Sequence, residues 1–304
     1  MAVGYDEFGM FRENADEAGL PWRGEPLVER RSVEVAPGRS VSALVWGTRD
    51  PEIVLLHGGA QNAHTWDTVA LALDRPLAAV DLPGHGHSDW RPDHEYSPPQ
   101  LADDVAVALR SLAPTARMVV GMSLGGLTAL CLSARHPDLV RRLAVVDVTP
   151  GTDEAKAEPI ISFISGPEQF TSFDEILERT VQFNPTRTVS SLRRGVLHNA
   201  LEQPDGTWVW RYDRVWARPP EFGSLWDAVD AVQVPLLLVR GGLSGVVGDE
   251  DVEELRRRQP SARVVVVEGA GHSIQGDRPV QLARVLDEFL GAGAPSGGGR
   301  GRGR

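Results

Sequence analysis

The segment GMSLG, residues 121–125, carries the most specific chemical signal in this sequence. It matches the pattern G-x-S-x-G, follows a short apolar run at 118–120 and precedes a helical pattern at 124–136. This order of strand, turn and helix is the context of a nucleophile elbow, where a sharp turn projects the serine hydroxyl above a sheet. The start of the helix also directs backbone N–H groups toward a developing negative charge. Ser123 is therefore the candidate nucleophile.

A second segment, HGG at 57–59, lies directly after the apolar run 53–56. Backbone N–H groups in this position can complete an oxyanion hole, which binds the negative oxygen of a tetrahedral intermediate. We predict that the N–H of Gly59 fills this role together with the N–H of Leu124. The N–H of Ala60 is the second choice for the first of these two positions.

Two more segments combine histidine, glycine and serine after apolar runs. Residues 81–88 read DLPGHGHS, and residues 269–273 read GAGHS. The second segment places His272 in a glycine-rich loop before the last helical pattern. No pair of histidines has a convincing metal-ligand spacing with a carboxylate, and the sequence contains neither a G-x-G-x-x-G segment nor a P-loop. We therefore predict no metal and no cofactor.

The elements that must position these residues alternate regularly along the chain. The apolar runs are short, continuous and rich in β-branched residues, as in strands that are covered on both faces. The predicted strands lie at 53–56, 77–80, 118–120, 143–146, 235–239 and 264–267, and the predicted helices at 65–74, 98–112, 124–136, 249–258 and 279–290. This alternation predicts an α/β fold with a mostly parallel central sheet flanked by helices. Two earlier strands, at 31–35 and 40–47, predict an antiparallel hairpin at the sheet edge.

The alternation stops between residues 151 and 226, where ten of the nineteen Phe, Trp and Tyr residues are concentrated. These ten are Phe163, Phe170, Phe173, Phe183, Trp208, Trp210, Tyr212, Trp216, Phe222 and Trp226. We interpret the segment as an inserted, mainly helical lid, whose aromatic residues form its own core, an apolar roof over a substrate pocket, or both. The predicted organisation is an N-terminal extension at 1–24, a core at 25–150 and 227–291, the lid at 151–226, and a disordered Gly/Arg tail at 292–304.

Composition excludes several classes of function. The 304 residues include 31 Lys and Arg against 42 Asp and Glu, and a net charge of −11 disfavours a nucleic-acid binder, which needs a basic face. Cys131 is the only cysteine, so an internal disulfide is excluded. The first thirty residues lack the apolar run of a signal peptide, and no stretch approaches the ~18 apolar residues of a membrane helix. We therefore expect a cytoplasmic protein that does not contact a membrane.

Four of the segments together resemble the α/β-hydrolase superfamily, specifically its lid-bearing serine hydrolase branch. They are HGG (57–59), DLPGHGHS (81–88), GMSLGG (121–126) and GAGHS (269–273), in the family's order. The resemblance implies an α/β-hydrolase fold with Ser123 as the nucleophile and His272 as the general base. An imidazole suits the second role because free histidine titrates near neutral pH.

The acidic member of the implied catalytic triad departs from the usual pattern of the family. It most often follows the strand that corresponds to 235–239, but here no carboxylate occurs between Arg240 and Gly248. Asp147 lies at the end of the preceding predicted strand, from which some family members take their acid, and we assign the role to it. The alternatives are Asp249, which resembles the N-cap of the next helix, and a purely structural role of Asp147 in its own turn.

The function implied by the resemblance is a serine hydrolase that cleaves a carboxylic ester, thioester or lactone through an acyl-enzyme. The aromatic lid favours a small-molecule substrate with an apolar or aromatic acyl part. A carbon–carbon bond hydrolase, or a lyase or acyltransferase that uses the same triad and oxyanion hole, is the alternative. A binding protein with an inactive triad is a third class, which the intact serine, histidine and HGG segment disfavour. The oligomeric state is not predicted.

Overall fold

The computed structural model describes residues 4–214 and 225–292, and every structural statement below concerns those residues. In chain order the helices are α1 (Phe11–Glu17), α2 (Asp67–Leu73), α3 (Pro98–Leu112), α4 (Leu124–Arg135), α5 (Glu154–Ile164), α6 (Phe173–Phe183), α7 (Val189–Asn199), α8 (Trp226–Asp230), α9 (Asp249–Arg258), α10 (Ile274–Asp277) and α11 (Pro279–Gly291). The strands are β1 (Val28–Ala36), β2 (Arg39–Trp46), β3 (Ile53–Leu56), β4 (Leu77–Val80), β5 (Met118–Met122), β6 (Leu143–Val146), β7 (Gln169–Phe170), β8 (Ala200–Glu202), β9 (Trp208–Trp210), β10 (Leu236–Gly241) and β11 (Arg263–Val267).

Eight strands form the central sheet in the order β1-β2-β4-β3-β5-β6-β10-β11. The hairpin β1–β2 and the pair β2–β4 are antiparallel, and the remaining pairs are parallel, which confirms the predicted fold class and the edge hairpin. Val146 of β6 is paired with Met122 of β5 on one side and with Val239 of β10 on the other. The carboxyl ends of these three strands therefore meet at one edge of the sheet.

The two faces of the sheet are covered by different helices, which explains why its strands read as continuous apolar runs. Every residue of β3 is buried. Val54 and Leu56 belong to an apolar cluster that includes side chains of α3 and α4. Ile53 and Leu55 face the other way, into a cluster with side chains of α2 and α11. This two-sided packing holds the strand ends, and the loops after them, in fixed positions.

The segment predicted as a lid contains helices α5, α6 and α7 and a small antiparallel sheet in the order β7-β9-β8. The sequence did not predict this sheet, because strands of two or three residues are too short to show a period of two. Phe170, Phe173 and Trp208 pack together in an apolar cluster separate from the two clusters of the central sheet. Trp216 and Phe222 lie outside the described residues. The lid boundaries stay a prediction.

The predicted N-terminal extension contacts both the central sheet and the lid segment. The ring of Phe11 packs edge to face on Trp46 of β2, with the ring centroids 4.9 Å apart. Arg194 of α7 donates a hydrogen bond of 2.7 Å to the side-chain oxygen of Asn14, and it forms an ion pair with Glu17. The extension therefore links α7 to the core.

Two predictions concern the solvent and membrane environment of the chain. Among the described helices, none combines the length and the apolar character needed to span a membrane. The cytoplasmic location stays a prediction.

The predicted Gly/Arg tail lies almost wholly outside the described residues, which end at Ala292.

Candidate active site

Ser123 occupies a sharp turn between β5 and α4. Its backbone has φ 51° and ψ −119°, a left-handed conformation that side-chain-bearing residues rarely adopt. The Ser123 N–H donates a 3.1 Å hydrogen bond to the carbonyl of Val146, and its own carbonyl accepts from the N–H groups of Gly126 (2.8 Å) and Leu127 (3.0 Å). Hydrogen bonds on both sides therefore hold the strained residue at the end of the strand.

The glycines around Ser123 are required because the chain segments approach each other closely there. A Cβ atom on Gly121 would lie 2.1 Å from the carbonyl oxygen of Gly125, and one on Gly125 would lie 2.4 Å from the carbonyl oxygen of Leu56. A Cβ atom on Gly126 would lie 2.6 Å from a methyl group of Val148. The pattern of small residues that identified the elbow in the sequence thus has a steric cause.

Asp147 lies directly after β6, and its carboxylate is fully buried. Asp147 Oδ2 is 2.8 Å from Nδ1 of His272, and Asp147 Oδ1 accepts a 2.8 Å hydrogen bond from the N–H of Gly241. The hydroxyl of Ser244 donates to Oδ2 over 2.5 Å. Because an ionised carboxylate only accepts hydrogen bonds, His272 carries its proton on Nδ1 and leaves Nε2 free to accept one.

Ser244 is a residue whose role sequence reasoning missed. It occupies the loop after β10, where the family's usual acid was expected and not found. Here the serine hydroxyl donates to Asp147. The available signal in the sequence was the position of Ser244 in the loop after β10. That position does not show which group accepts a hydrogen bond from the serine hydroxyl.

Asp249 does not lie at the site. Its side chain is 89% exposed and forms an ion pair of 2.5 Å with Arg240. The N-cap prediction for Asp249 is wrong, because α9 begins at Asp249 itself and Gly248 is the N-cap. The N–H of Gly248 donates instead to the carboxylate of Asp251, over 2.7 Å, so that Asp251 satisfies the helix start.

Of the predicted oxyanion-hole donors, Leu124 directly follows Ser123, and Gly59 lines the same cavity as Ser123. Leu124 is the first residue of α4, so its N–H belongs to the helix turn that has no partner within the helix. The N–H of Ala60 donates a 3.1 Å hydrogen bond to Nε2 of His85, which occupies it. Of the two candidates in the HGG loop, this leaves the N–H of Gly59 for a substrate oxygen.

Two buried neutral histidines support the loop that contains Gly59. His57 donates from Nδ1 to the carbonyl of Gly58 over 2.7 Å and accepts at Nε2 from the N–H of Leu82 over 2.9 Å. Burial lowers the pKa of His57, and burial with the nearby His57 lowers the pKa of His85 to about 3. Both rings are therefore neutral and can act as hydrogen-bond acceptors at physiological pH.

Ser123, His272 and Gly59 line one cavity of about 510 Å³. Leu124 is not among the residues that line it. The structure contains no direct hydrogen bond between Ser123 Oγ and His272 Nε2, although both residues line this cavity. Apolar side chains of the lid segment and of the loop after β10 cover the cavity. They are Pro159, Ile160, Phe163, Ile164, Phe183, Leu192, Val196, Trp210, Leu243 and Val246.

A buried ionic cluster lies beside this cavity. His64 Nδ1 is 2.9 Å from Oδ2 of Asp67, and His64 Nε2 is 3.2 Å from Oε1 of Glu7, which accepts a 2.7 Å hydrogen bond from Arg30. Burial alone would lower the pKa of His64, but the charge of Asp67 and the hydrogen bonds to Asp67 and Glu7 raise it to about 9. The contacts with Asp67 and Glu7 therefore favour the charged form of His64, while burial raises the pKa of Asp67.

His198 of α7 completes a group of three potential metal ligands with His64 and Asp67. Their donor atoms all lie within 4.8 Å of one another, and His198 Nε2 and Asp67 Oδ1 are buried without a hydrogen-bond partner in the described part of the chain. The two imidazole rings are stacked, however, with centroids 3.7 Å apart and 8° between their planes. Lone pairs in two parallel planes do not converge on one ion. The absence of a bound metal stays our prediction.

The raised pKa of His64 predicts how stability depends on pH. His64 binds its proton more tightly in the folded chain than in the unfolded one, so its contribution is complete below about pH 6.5 and is lost as the pH rises through about 9. The free energy of unfolding should fall by about 3 kcal/mol over this range from this group. Urea unfolding of the wild type and of His64→Gln between pH 6 and 10 tests it. The variant should lack this decline, and equal slopes would contradict the assignment.

Comparison of the sequence and the fold with known proteins identifies relatives of this chain. A family model described as "Alpha/beta hydrolase family" matches residues 53–285. The chain is 48% identical over 295 residues to "Esterase Rv0045c" of Mycobacterium tuberculosis, covering 95% of this chain and 97% of that protein. A solved structure of the same esterase matches with a TM-score of 0.87 and 47% identity, over 95% of this chain and 100% of that one. A "Pimeloyl-[acyl-carrier protein] methyl ester esterase" of Aeromonas hydrophila is 30% identical over 266 residues, covering 83% of this chain and 100% of that protein.

Proposed function

The chain belongs to the α/β-hydrolase family, and from this premise we propose that it is a serine hydrolase that cleaves esters. The observation that carries the proposal is the position of Ser123 and His272 on one cavity, with the buried carboxylate of Asp147 on the far side of the imidazole. The 48% identity to an esterase over nearly the whole of both chains supports the same activity.

The geometry supports a two-step reaction through an acyl-enzyme. His272 Nε2 takes the proton of the Ser123 hydroxyl as Oγ attacks the ester carbonyl, and it then gives that proton to the departing alcohol. In the second step the same imidazole takes a proton from water, whose oxygen attacks the acyl carbonyl. As the bond to Ser123 Oγ breaks, the imidazolium returns this proton to Oγ, and the acid leaves. Asp147 holds the imidazole in the required tautomer and stabilises the imidazolium that forms in each step.

The negative oxygen of each tetrahedral intermediate is assigned to the N–H groups of Gly59 and Leu124. The buried histidines hold the loop that contains Gly59, and Leu124 is held as the first residue of α4. Donors that need no rearrangement stabilise the transition state more than donors that must reorient. Removing one such donor in a serine hydrolase lowers kcat by about 10²–10³.

We propose that the acyl part of the substrate has an apolar or aromatic portion. Of the eight lid aromatics that lie within the described ranges, three line the cavity, namely Phe163, Phe183 and Trp210. Phe163 contacts both of the others, with ring centroids 5.4 Å from Phe183 and 5.7 Å from Trp210. The resulting roof can bury an apolar group of a small molecule.

The proposed activity is tested with p-nitrophenyl esters of short acids and with a fluorophosphonate probe. We expect a burst of p-nitrophenol that is stoichiometric with the enzyme, because the acyl-enzyme forms before it is hydrolysed. The probe should label one site per chain, and the label should lie on Ser123 by peptide mass spectrometry. Absence of labelling in the folded protein would exclude a serine nucleophile and with it the proposed reaction.

A further inference from the structure

Arg187 is a cationic side chain of the lid segment that lines the same cavity as Ser123 and His272. It lies in the loop between α6 and α7. Its guanidinium packs directly on the backbone of α10, because a Cβ atom on Gly276 would lie 2.8 Å from both Cζ and Nε of Arg187. Since α10 begins two residues after His272, the cation is held beside the histidine loop.

The guanidinium of Arg187 has few partners of its own. One nitrogen donates a 2.7 Å hydrogen bond to the hydroxyl of Ser191, and Nε is buried without a hydrogen-bond partner among the described residues. Within the same part of the chain, no carboxylate lies within ion-pair distance of it. Burial lowers the pKa of Arg187, as expected for a cation that has lost water and gained no counter-ion.

The other two long cations on the cavity are paired, unlike Arg187. Arg194 forms ion pairs with Glu17 and Glu13. Lys156, the only lysine in the sequence, forms ion pairs of 2.6 Å with Glu250 and 2.7 Å with Asp251. The fold thus supplies counter-ions for Lys156 and Arg194 but not for Arg187, whose partner must come from outside the described part of the chain.

The carboxylates nearest to Arg187 are already engaged elsewhere. Asp277 accepts a 3.0 Å hydrogen bond from the hydroxyl of Thr186 through Oδ1 and a 2.7 Å hydrogen bond from the N–H of Gly271 through Oδ2. Glu17 accepts from Arg194. Neither acid forms an ion pair with Arg187 in the described part of the chain, although the charges of both act on the guanidinium from a distance and partly offset the effect of its burial.

We propose that Arg187 binds a carboxylate of the substrate, so that the preferred substrates are esters that also carry a free carboxylate, such as half-esters of dicarboxylic acids. This inference rests on the esterase activity proposed above. An unpaired, largely desolvated guanidinium is unfavourable, and an entering carboxylate restores the lost interactions. Its planar fork of N–H donors matches the two carboxylate oxygens. The apolar roof then covers the carbon chain between the carboxylate and the ester.

The test compares monomethyl half-esters of linear dicarboxylic acids, with two to six methylene groups, with the corresponding neutral dimethyl esters. At the best chain length the wild type should show a higher kcat/KM for the half-ester than for the diester. Arg187→Gln should lower this ratio by roughly 10- to 100-fold, the value of hydrogen bonds to a charged group. Using the ratio cancels any general loss of activity in the variant.

Arg193→Gln is the matched control. Arg193 lies on α7 and is exposed, so the substitution removes the same charge from the same lid segment without touching the cavity. This variant should keep the wild-type ratio. A ratio that falls equally in both variants would show a general effect of charge and would overturn the subsite.

Binding to the Ser123→Ala background separates this inference from the proposed esterase activity. By calorimetry, the half-ester should bind this background more tightly than the diester, and adding Arg187→Gln should remove the difference. If neither ester is hydrolysed but this difference is present, the esterase proposal fails and the carboxylate subsite stands. If esters are hydrolysed but no chain length gives a half-ester preference that depends on Arg187, the subsite alone is wrong.

Discussion

Replacing Ser123 by alanine should lower kcat for ester hydrolysis by a factor of about 10⁶, as removal of the nucleophile does in another serine hydrolase. The reason is that no other hydroxyl takes part in the proposed covalent step, so only the oxyanion hole and substrate binding remain. The measurement is kcat for a p-nitrophenyl ester with the purified variant, together with loss of the fluorophosphonate label.

The fold should survive this change, which makes the result interpretable. The hydrogen bonds that hold the turn at Ser123 all use its backbone N–H and carbonyl, and alanine keeps both. The midpoint of thermal unfolding should therefore stay within a few degrees of the wild type. Ser162→Ala, at an exposed position of α5, is the control and should keep full activity. Retention of about 1% or more of wild-type kcat by the Ser123 variant would rule out this serine as the nucleophile.

Local sequence patterns were sufficient to predict those helices, strands and turns whose conformation depends on residues close together in the sequence. The helix predicted at 98–112 is observed with those bounds, because an apolar periodicity of 3.6 and Pro98 at the start are read within one segment. The strand at 53–56 was equally clear, because burial on both faces makes a short run wholly apolar. The elbow at Ser123 was identified because its pattern is read within five residues, although the contacts that require Gly125 and Gly126 come from the ends of β3 and β6.

Contacts between distant segments could not be predicted in this way. Glu7, His64 and His198 lie far apart in sequence, and only the packing of the N-terminal extension and α7 against the core brings them together. The sequence around a single histidine or glutamate does not show which distant residue it contacts. The same holds for Arg187, for which the relevant feature is that it forms no ion pair within the described residues, although acids lie in the same region. Unpaired charge is a property of three-dimensional surroundings and has no local pattern.

For the proposed acid of the triad, sequence reasoning left Asp147 and Asp249 as candidates, and the geometry favours Asp147. Asp147 comes after β6, and Asp249 comes after β10, which pairs with β6 in the sheet. Position in the sequence alone therefore does not show which of the two contacts His272. In the structure the first carboxylate is buried beside the imidazole, and the second is 89% exposed on Arg240. We therefore expect Asp147→Asn to lower kcat by about 10⁴, and Asp249→Asn to leave it unchanged within about twofold.

The large effect of Asp147→Asn follows from the donors that surround this carboxylate. Oδ1 faces the N–H of Gly241, and Oδ2 faces both the hydroxyl of Ser244 and Nδ1 of His272. An asparagine has one oxygen and one NH₂ group. If the NH₂ faces Gly241, two donors oppose each other in a buried site, and if it faces His272, the imidazole must move its proton to Nε2. In the second arrangement Nε2 can no longer accept the proton of Ser123.

The pair of asparagine variants separates a catalytic acid from a structural one. Steady-state kcat with one ester, and the midpoint of urea unfolding, are measured for both variants under the same conditions. A structural role of Asp147 would reduce stability while kcat of the folded fraction stayed near the wild type, because the turn after β6 would be weakened but the imidazole tautomer would not change. A catalytic role requires the loss in kcat to persist at denaturant-free conditions where the variant is fully folded. If kcat were equal in the two variants, neither residue would be the catalytic acid. His272 Nδ1 would then need another hydrogen-bond partner.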